Sequence, residues 1–229
     1  MQGYTLNPEQ ISLQLFYKMC RSKKMIPSRV VLKHGIDGYF RILETKEIEN
    51  LKQLNTKLGN REKIRHFSAE SGIPESYLTL LKREAGSYLA RPFPLSEFPG
   101  IPLEYTEVLK SKGIRNTREF FESVQSAEQR LEMAKLTGIP ASRLTEIFTL
   151  CDLSRITGVG GIYARIIYHA GIRSVMQFAA TDTATHNELY LKSLEKLGYP
   201  LKALGEDDLQ YCISYASLIA ELNSNPDLP

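Results

Sequence analysis

The chain has 229 residues, of which 42% are hydrophobic and 24% charged, and its formal net charge is +3. This length and apolar content suffice for one good core or two small ones. No apolar run approaches the roughly eighteen residues that a membrane span needs, and the start MQGYTLNPEQ has no basic lead or apolar block. These features exclude an integral membrane protein, and we expect a cytoplasmic protein without membrane contact.

The positive charge is concentrated at the start of the chain. Residues 1–34 carry six cations against Glu9 alone, a net of 6 − 1 = +5, so that the remainder has a net charge of −2. Such a cluster indicates either a solvated basic face or a contact with nucleic-acid phosphates. The six cations are Lys18, Arg21, Lys23, Lys24, Arg29 and Lys33.

Nothing in the sequence points to catalysis. The three cysteines, Cys20, Cys151 and Cys212, are odd in number, far apart and without a neighbouring histidine, which predicts buried thiols and neither a disulfide framework nor a zinc site. The four histidines share no metal-ligand spacing, and no phosphate-binding loop or nucleophile elbow occurs. We therefore predict a protein that is not an enzyme and that needs no metal and no cofactor.

Two related segments follow one another along the chain. Gly72-Ile73-Pro74 matches Gly138-Ile139-Pro140 at an offset of 66, Leu95 matches Leu153 at 58, and Gly113-Ile114-Arg115 matches Gly171-Ile172-Arg173 at 58. A weaker third echo, MIPSRVVLKHGIDGYFRILE, lies upstream. Repetition of this kind predicts similar structural units in series.

Local signals throughout the chain favour helices. Pro74 and Pro140 suit a first helical turn, Asn116 and Ser174 suit N-caps, and apolar residues recur at spacings of three and four near the C-terminus. No useful period-two alternation occurs, which predicts an all-α fold. The proline-rich stretch 85–102 is the best candidate for a linker.

The stretch LSRITGVGGIYARIIYHAGI, residues 153–172, is the most informative. Gly158 and Gly160 permit a tight reversal, so we predict that residues 153–180 form two helices joined at Gly158 to Gly160, with Val159 pointing inward. The amides of Gly160, Gly161 and Ile162 would then face outward together and attract an anion.

These residues resemble the helix-hairpin-helix family, in which the anion is a nucleic-acid phosphate contacted without regard to base sequence. The resemblance implies a binding role for the turn residues and for arginines around them, with Arg165 one turn along and pointing outward. Ala164 and Ile167 fall where the family locks its helices together. The corresponding turn FPGIPLEY loses a donor at Pro102 and is expected to be structural. The candidate nucleic-acid-binding residues are Gly158, Gly160, Gly161, Ile162, Arg165, Arg155, Arg173, Arg21, Lys23, Lys24, Arg29 and Lys33.

Two further resemblances support the same fold. The segment LEYTEVLKSKGIRNTREFFE is similar to the C-terminal domain of the bacterial RNA polymerase alpha subunit, which contains hairpins of this kind. Residues 70–200 as a whole resemble a bacterial family of unknown function built from tandem helix-hairpin-helix-like units. This second resemblance implies a fold and no activity.

The sequence thus predicts an all-α protein of tandem helix-hairpin-helix, or SAM-like, units. Its expected divisions are a helical N-terminal segment with a degenerate hairpin at 1–70, a first repeat at 71–150, a second at 151–222 and a frayed tail at 223–229. The predicted function is binding of the phosphate backbone of DNA, with RNA as a possibility. The alternative is a scaffold in which Ile162 and Tyr163 form an interface with another protein or a second copy.

Overall fold

The computed structural model describes residues 2–25, 27–199 and 205–224, and these residues form α-helices joined by turns. No β-strand forms within these ranges, and extended backbone pairs only at two isolated bridges, Ser12 with Asn50 and Pro94 with Asn116. The predicted all-α class is confirmed. Most of the tail predicted at 223–229 lies outside the described residues.

The helices are α1 Leu13–Ser22, α2 Ile36–Thr45, α3 Leu51–Lys57, α4 Arg61–Ser71, α5 Glu75–Ser87, α6 Leu103–Ser111, α7 Thr117–Ser123, α8 Ala127–Thr137, α9 Ala141–Leu153, α10 Gly161–His169, α11 Val175–Ala180, α12 Thr183–Leu197 and α13 Glu206–Ser224. Short 3-10 segments occur at Pro27–Lys33 and Leu95–Glu97. None of the described helices combines the length and apolar character that crossing a bilayer requires.

The chain divides into two compact units. The basic unit, as we call it for its charge, is Leu6–Leu89 and contains α1 to α5; the hairpin unit is Ala90–Ser224 with the residues up to Thr5, and contains α6 to α13. The boundary falls inside the proline-rich stretch 85–102 that was predicted as a linker. The predicted boundaries after residues 70 and 150 concern repeats and stay predictions.

Each unit has its own aromatic core. In the basic unit, Phe16 is fully buried, with its ring centroid 5.9 Å from those of both Phe40 and Tyr88. In the hairpin unit, Phe121 stacks on Phe148 at 5.2 Å and meets Tyr4 edge-on at 6.0 Å. Aromatic pairs of this geometry add to the stabilisation that burial of their area provides.

Helix bounds repeat along the chain as the sequence matches do. The helices α6 and α10 have nine residues each and begin at 103 and 161, an offset of 58. The pair α4 and α5 has the same lengths as the pair α8 and α9, 11 and 13 residues, at an offset of 66. Local conformations therefore follow the sequence similarity.

The predicted helix ends are confirmed at the glycines and polar caps, whereas the two prolines lie one residue earlier than predicted. Gly113 and Gly171 have φ of 84° and 92°, a left-handed conformation that costs glycine little. The side chains of Asn116 and Ser174 accept from the amides three residues on. Pro74 and Pro140 precede the first helical residue and do not lie within the first turn.

The prediction of two helices within 153–180 joined at Gly158 to Gly160 is wrong in its placement. The first of the two helices, α9, already ends at Leu153, and residues 154–160 form the turn. The two helices that do lie in this stretch, α10 and α11, are joined after His169. The apolar spacing in 153–157 resembles that of a helix because a turn also buries apolar side chains here: Leu153 and Ile156 are fully buried.

His186 should make the stability of the hairpin unit depend on pH. The residue is 4% exposed, and its Nε2 donates to the Phe178 carbonyl at 2.9 Å. Burial lowers the pKa of His186 below its ordinary 6.5, while the bond to Phe178 and the charge of Asp182 act in the opposite direction.

Because the unfolded chain takes up the proton first, the free energy of unfolding should fall as the pH drops below about 6.5. Above that pH His186 should contribute no pH dependence. Urea unfolding at pH 7.5 and 5.5 measures the difference, which His186→Gln should reduce and the exposed His34→Gln should leave unchanged. If the free energy of unfolding changed equally between the two pH values in the parent and in His186→Gln, His186 would not be the source of the pH dependence.

Candidate functional site

The turn before α10 has the glycine geometry of a tight reversal. Gly158 has φ of 97°, in the left-handed region, and Gly160 is the extended N-cap of α10. Val159 is 4% exposed, so the prediction that it points inward is confirmed. Within the described residues, the amides of Gly160, Gly161 and Ile162 have no protein acceptor.

The middle residue of the predicted amide cluster is covered by protein. Gly161 is buried, and an ideal Cβ on it would lie 2.4 Å from the carbonyl oxygen of Glu97. Gly160 and Ile162 are exposed. The prediction that all three face outward together is therefore wrong for Gly161, whose lack of a side chain lets the turn at 97–100 approach α10.

Arg165 does not point outward, and that prediction is wrong. Arg165 is only 5% exposed. Its Nε donates to the Pro99 carbonyl at 2.6 Å, and its Nη1 forms an ion pair with Glu146. The reason is that residues 164–167 of α10 are all buried, as predicted for Ala164 and Ile167. A guanidinium in that face neutralises the carboxylate that α9 buries beside it.

Glu146 also binds a second arginine. Arg143 donates from Nη1 to the other oxygen of Glu146 at 2.5 Å and from Nη2 to the Gly100 carbonyl at 3.0 Å. We call the turn 97–100, Glu146 and the start of α10 at 161–165 the hairpin junction. Its polar contacts connect the turn that contains Gly100 to α10, the helix that follows the turn at Gly158.

Arg155 is likewise a core residue. It is 3% exposed and donates to Asp152 at 2.7 Å, with its guanidinium 4.6 Å from the centre of the Phe121 ring. The second oxygen of Asp152 accepts from the amide of Val175 at 2.9 Å and so satisfies the first turn of α11. The predicted phosphate contact from Arg155 would require it to leave this core, so the prediction of a surface role is wrong.

Arg173 is the one exposed member of the three hairpin arginines. Its guanidinium lies 3.9 Å from the centre of the Tyr168 ring, and Nη1 donates to the Tyr168 carbonyl. Both contacts leave the residue exposed. Arg173 remains accessible to an anion, although it lies beyond the C-terminal end of α10.

The start of α13 approaches the glycine turn through Cys212, whose thiol is affected by the charge of Asp208. The thiol of Cys212 donates to the Thr157 carbonyl at 3.8 Å, and Asp208 lies one helical turn before it on α13. Burial, and secondarily the charge of Asp208, raise the pKa of Cys212 to about 12. The first turn of α13 contains Glu206, Asp207 and Asp208, and negative charge near the glycine turn disfavours a phosphate there.

The N-terminal cations separate into two groups. Lys18, Arg21, Lys24 and Lys33 are exposed, and Arg21 lies 3.5 Å from Asp37. Lys23 and Arg29 instead form ion pairs with Glu84, whose side chain is completely buried. The predicted phosphate role of Lys23 and Arg29 competes with the need to neutralise that carboxylate.

Sequence reasoning missed the three carboxylates that organise these arginines and lysines: Glu84, Glu146 and Asp152. Each is less than 10% exposed. A signal was present for Asp152, which stands between Cys151 and Leu153 in LCDLS, whereas Glu84 follows Arg83 and Glu146 follows Thr145. A carboxylate on an apolar face predicts a buried partner of opposite charge.

No group of three or more His, Cys, Asp or Glu side chains converges as a metal site requires, within the part of the chain that the structure describes. Cys20, Cys151 and Cys212 are free and buried, as predicted. Burial raises the pKa of the Cys20 and Cys151 thiols above the ordinary cysteine value.

Residues 99–191 match a protein-family model described as a domain of unknown function, DUF4332. The matched segment covers α6 to α11 and most of α12, including the hairpin junction from Pro99 onward. Neither a curated protein nor a solved structure matches the chain.

Proposed function

We propose that the hairpin unit is a non-catalytic scaffold that binds another protein. The supporting observation is the use of its arginines: Arg155 and Arg165 neutralise Asp152 and Glu146 inside the unit. A cation that compensates the charge of a buried carboxylate is needed for folding and is not free to bind phosphate. The three free thiols suit a reducing compartment, so we include a cytoplasmic location in the proposal.

We interpret residues 95–123 and 153–180 as two helix-hairpin-helix-like repeats. The offset of 58 between their helices, the left-handed Gly100 and Gly158, and the equivalent caps Asn116 and Ser174 support this interpretation. In each repeat the turn precedes a short helix and a second capped helix. The hairpin junction then is the interface between repeats.

Exposed apolar side chains beside the junction supply a surface for the partner. Leu103 is 67% exposed three residues after Gly100, and Ile162 is 46% exposed directly after Gly161. Helix α8 adds Leu131 and Leu136, at 54% and 59%, and has no buried residue. A contiguous patch of such side chains is typical of a protein-binding surface, so the proposal requires Leu131 and Ile162 to contact the same partner.

The open amides of Gly160 and Ile162 favour a second candidate function, the binding of nucleic-acid phosphate that the turn sequence predicts. Arg173 would supply the nearest exposed positive charge. The acidic first turn of α13 and the covered Gly161 count against this candidate. The first candidate places the partner on the exposed apolar side chains of α8 and α10 and the second at the start of α10 alone, so one cross-linking experiment separates them.

The experiment introduces a benzophenone amino acid at Ile162 or Leu131, with exposed Glu195 as the control position, in the cells that naturally express the protein. We expect light-dependent adducts with a protein from positions 162 and 131, and none from 195. Adducts sensitive to nuclease from position 162 would replace the scaffold with the second candidate. Adducts no stronger than those from 195 would overturn the proposal.

A further inference from the structure

The positive charge of the chain belongs to the basic unit. Residues 6–89 contain 15 Lys and Arg against 9 Asp and Glu, a net of 15 − 9 = +6. Residues 90–224 contain 14 Lys and Arg against 16 Asp and Glu, a net of 14 − 16 = −2. An anionic ligand should therefore be sought on the basic unit, away from the glycine turns.

The basic unit has a groove where its cations converge. The groove has a volume of about 570 Å³ and runs along α3 and the start of α4. Its lining contains Lys52, Lys57 and Lys63 as cations, His66 as a further nitrogen donor or acceptor, and Glu9 as the single carboxylate. Asn50, Gln53 and Thr56 provide further polar groups.

The lysines of the groove have weak partners that a ligand could replace. Lys52 pairs with Glu9, and both side chains are more than half exposed. Lys57 lies 3.3 Å from Glu70, which is also 3.8 Å from His66, and Lys63 donates to the Thr56 carbonyl at 3.2 Å. Exposed ion pairs contribute about 1 kcal/mol or less, so exchanging one for a bound anion costs little.

We propose that this groove binds a phosphate-bearing small molecule. Its volume lies in the range of small-ligand sites, roughly 300–1,000 Å³. Three ammonium groups can each donate to a different oxygen of a phosphate-bearing ligand. A ligand with a single carboxylate offers too few oxygens to engage all three. The polar groups Asn50, Gln53 and Thr56 remain to contact the rest of the ligand. The inference is independent of the proposed protein interaction of the hairpin unit.

The test is calorimetric titration of the full chain with pyrophosphate and with ATP, using adenosine as the neutral probe. Lys52→Gln with Lys63→Gln should lower the affinity for both anions by about tenfold, which corresponds to the loss of at least one charged hydrogen bond. The matched control, Lys18→Gln with Lys33→Gln, removes the same charge from exposed positions outside the groove and should leave both affinities unchanged. Thermal unfolding checks that all variants are folded.

Glu9→Gln provides an opposite test, because it releases Lys52 from its competitor and should tighten anion binding a few-fold. Failure of the parent to bind either anion at low salt would overturn the proposal. Equal weakening by the control pair would also overturn it, since that would indicate a diffuse charge effect. Binding of a single-stranded oligonucleotide without binding of ATP or pyrophosphate would reassign the groove to nucleic acid.

Discussion

Arg165→Ala is expected to lower the free energy of unfolding of the hairpin unit by about 3 kcal/mol, the cost of breaking a buried ion pair. The substitution leaves Glu146 with only the partly exposed Arg143, and leaves the Pro99 carbonyl without its donor. Urea unfolding followed by circular dichroism measures the change. This outcome would exclude Arg165→Ala as a simple test of anion binding, because lost binding would follow from lost folding.

Arg173→Ala is the matched control, since Arg173 is an exposed arginine that follows the same helix. Its effect should stay within about 0.5 kcal/mol. Glu146→Gln added to Arg165→Ala should recover part of the loss, because a neutral amide then replaces the buried carboxylate that lost its partner. If Arg165→Ala were as stable as Arg173→Ala, the ion pair would contribute nothing and Arg165 would again be available as a ligand-binding residue.

The second large effect is expected in the basic unit. Lys23→Gln with Arg29→Gln should destabilise it by about 4 kcal/mol, because Glu84 is completely buried and would lose both cations that the structure pairs with it. Lys18→Gln with Lys33→Gln removes two charges at exposed positions and should have little effect. Unfolding of each variant by urea distinguishes a structural role from a solvated one.

Neutralising the carboxylate should reverse this loss. Glu84→Gln in the Lys23→Gln, Arg29→Gln background should restore most of the stability, since a neutral amide is less costly to bury than an unpaired charge. If the double variant were as stable as the parent, the ion pairs with Glu84 would be incidental. The two cations would then be as accessible as the sequence alone predicts.

Local features of the fold could be predicted from the sequence because they depend on a few adjacent residues. A glycine after α6 or α10 adopts the left-handed conformation that ends a helix, and Asn116 caps the amide three residues on. Both features are independent of the tertiary contacts of the segment. The position of Gly161 is different. That it is covered by the Glu97 carbonyl depends on a contact between segments 64 positions apart, 161 − 97, which no local pattern encodes.

The same distinction explains the errors about charge. Arg165 is 19 residues from Glu146, and Glu84 is 61 and 55 residues from Lys23 and Arg29. A count of cations along the sequence treats all of them as surface charge, whereas folding assigns some to carboxylates that are distant in sequence. Of the buried carboxylates, Asp152 alone has an apolar residue on each side, and this pattern can be sought before a structure is known; Glu84 and Glu146 have no such local signal.

The distribution of thiols gives each unit its own reporter. Cys20 lies in the basic unit and Cys151 and Cys212 in the hairpin unit, and all three are buried. A thiol-reactive label can modify them only when the surrounding structure opens, so the rate at which each peptide gains mass measures the opening of one unit. The kinetics of alkylation, read peptide by peptide, thus distinguish unfolding of the two halves of one chain without introducing a probe.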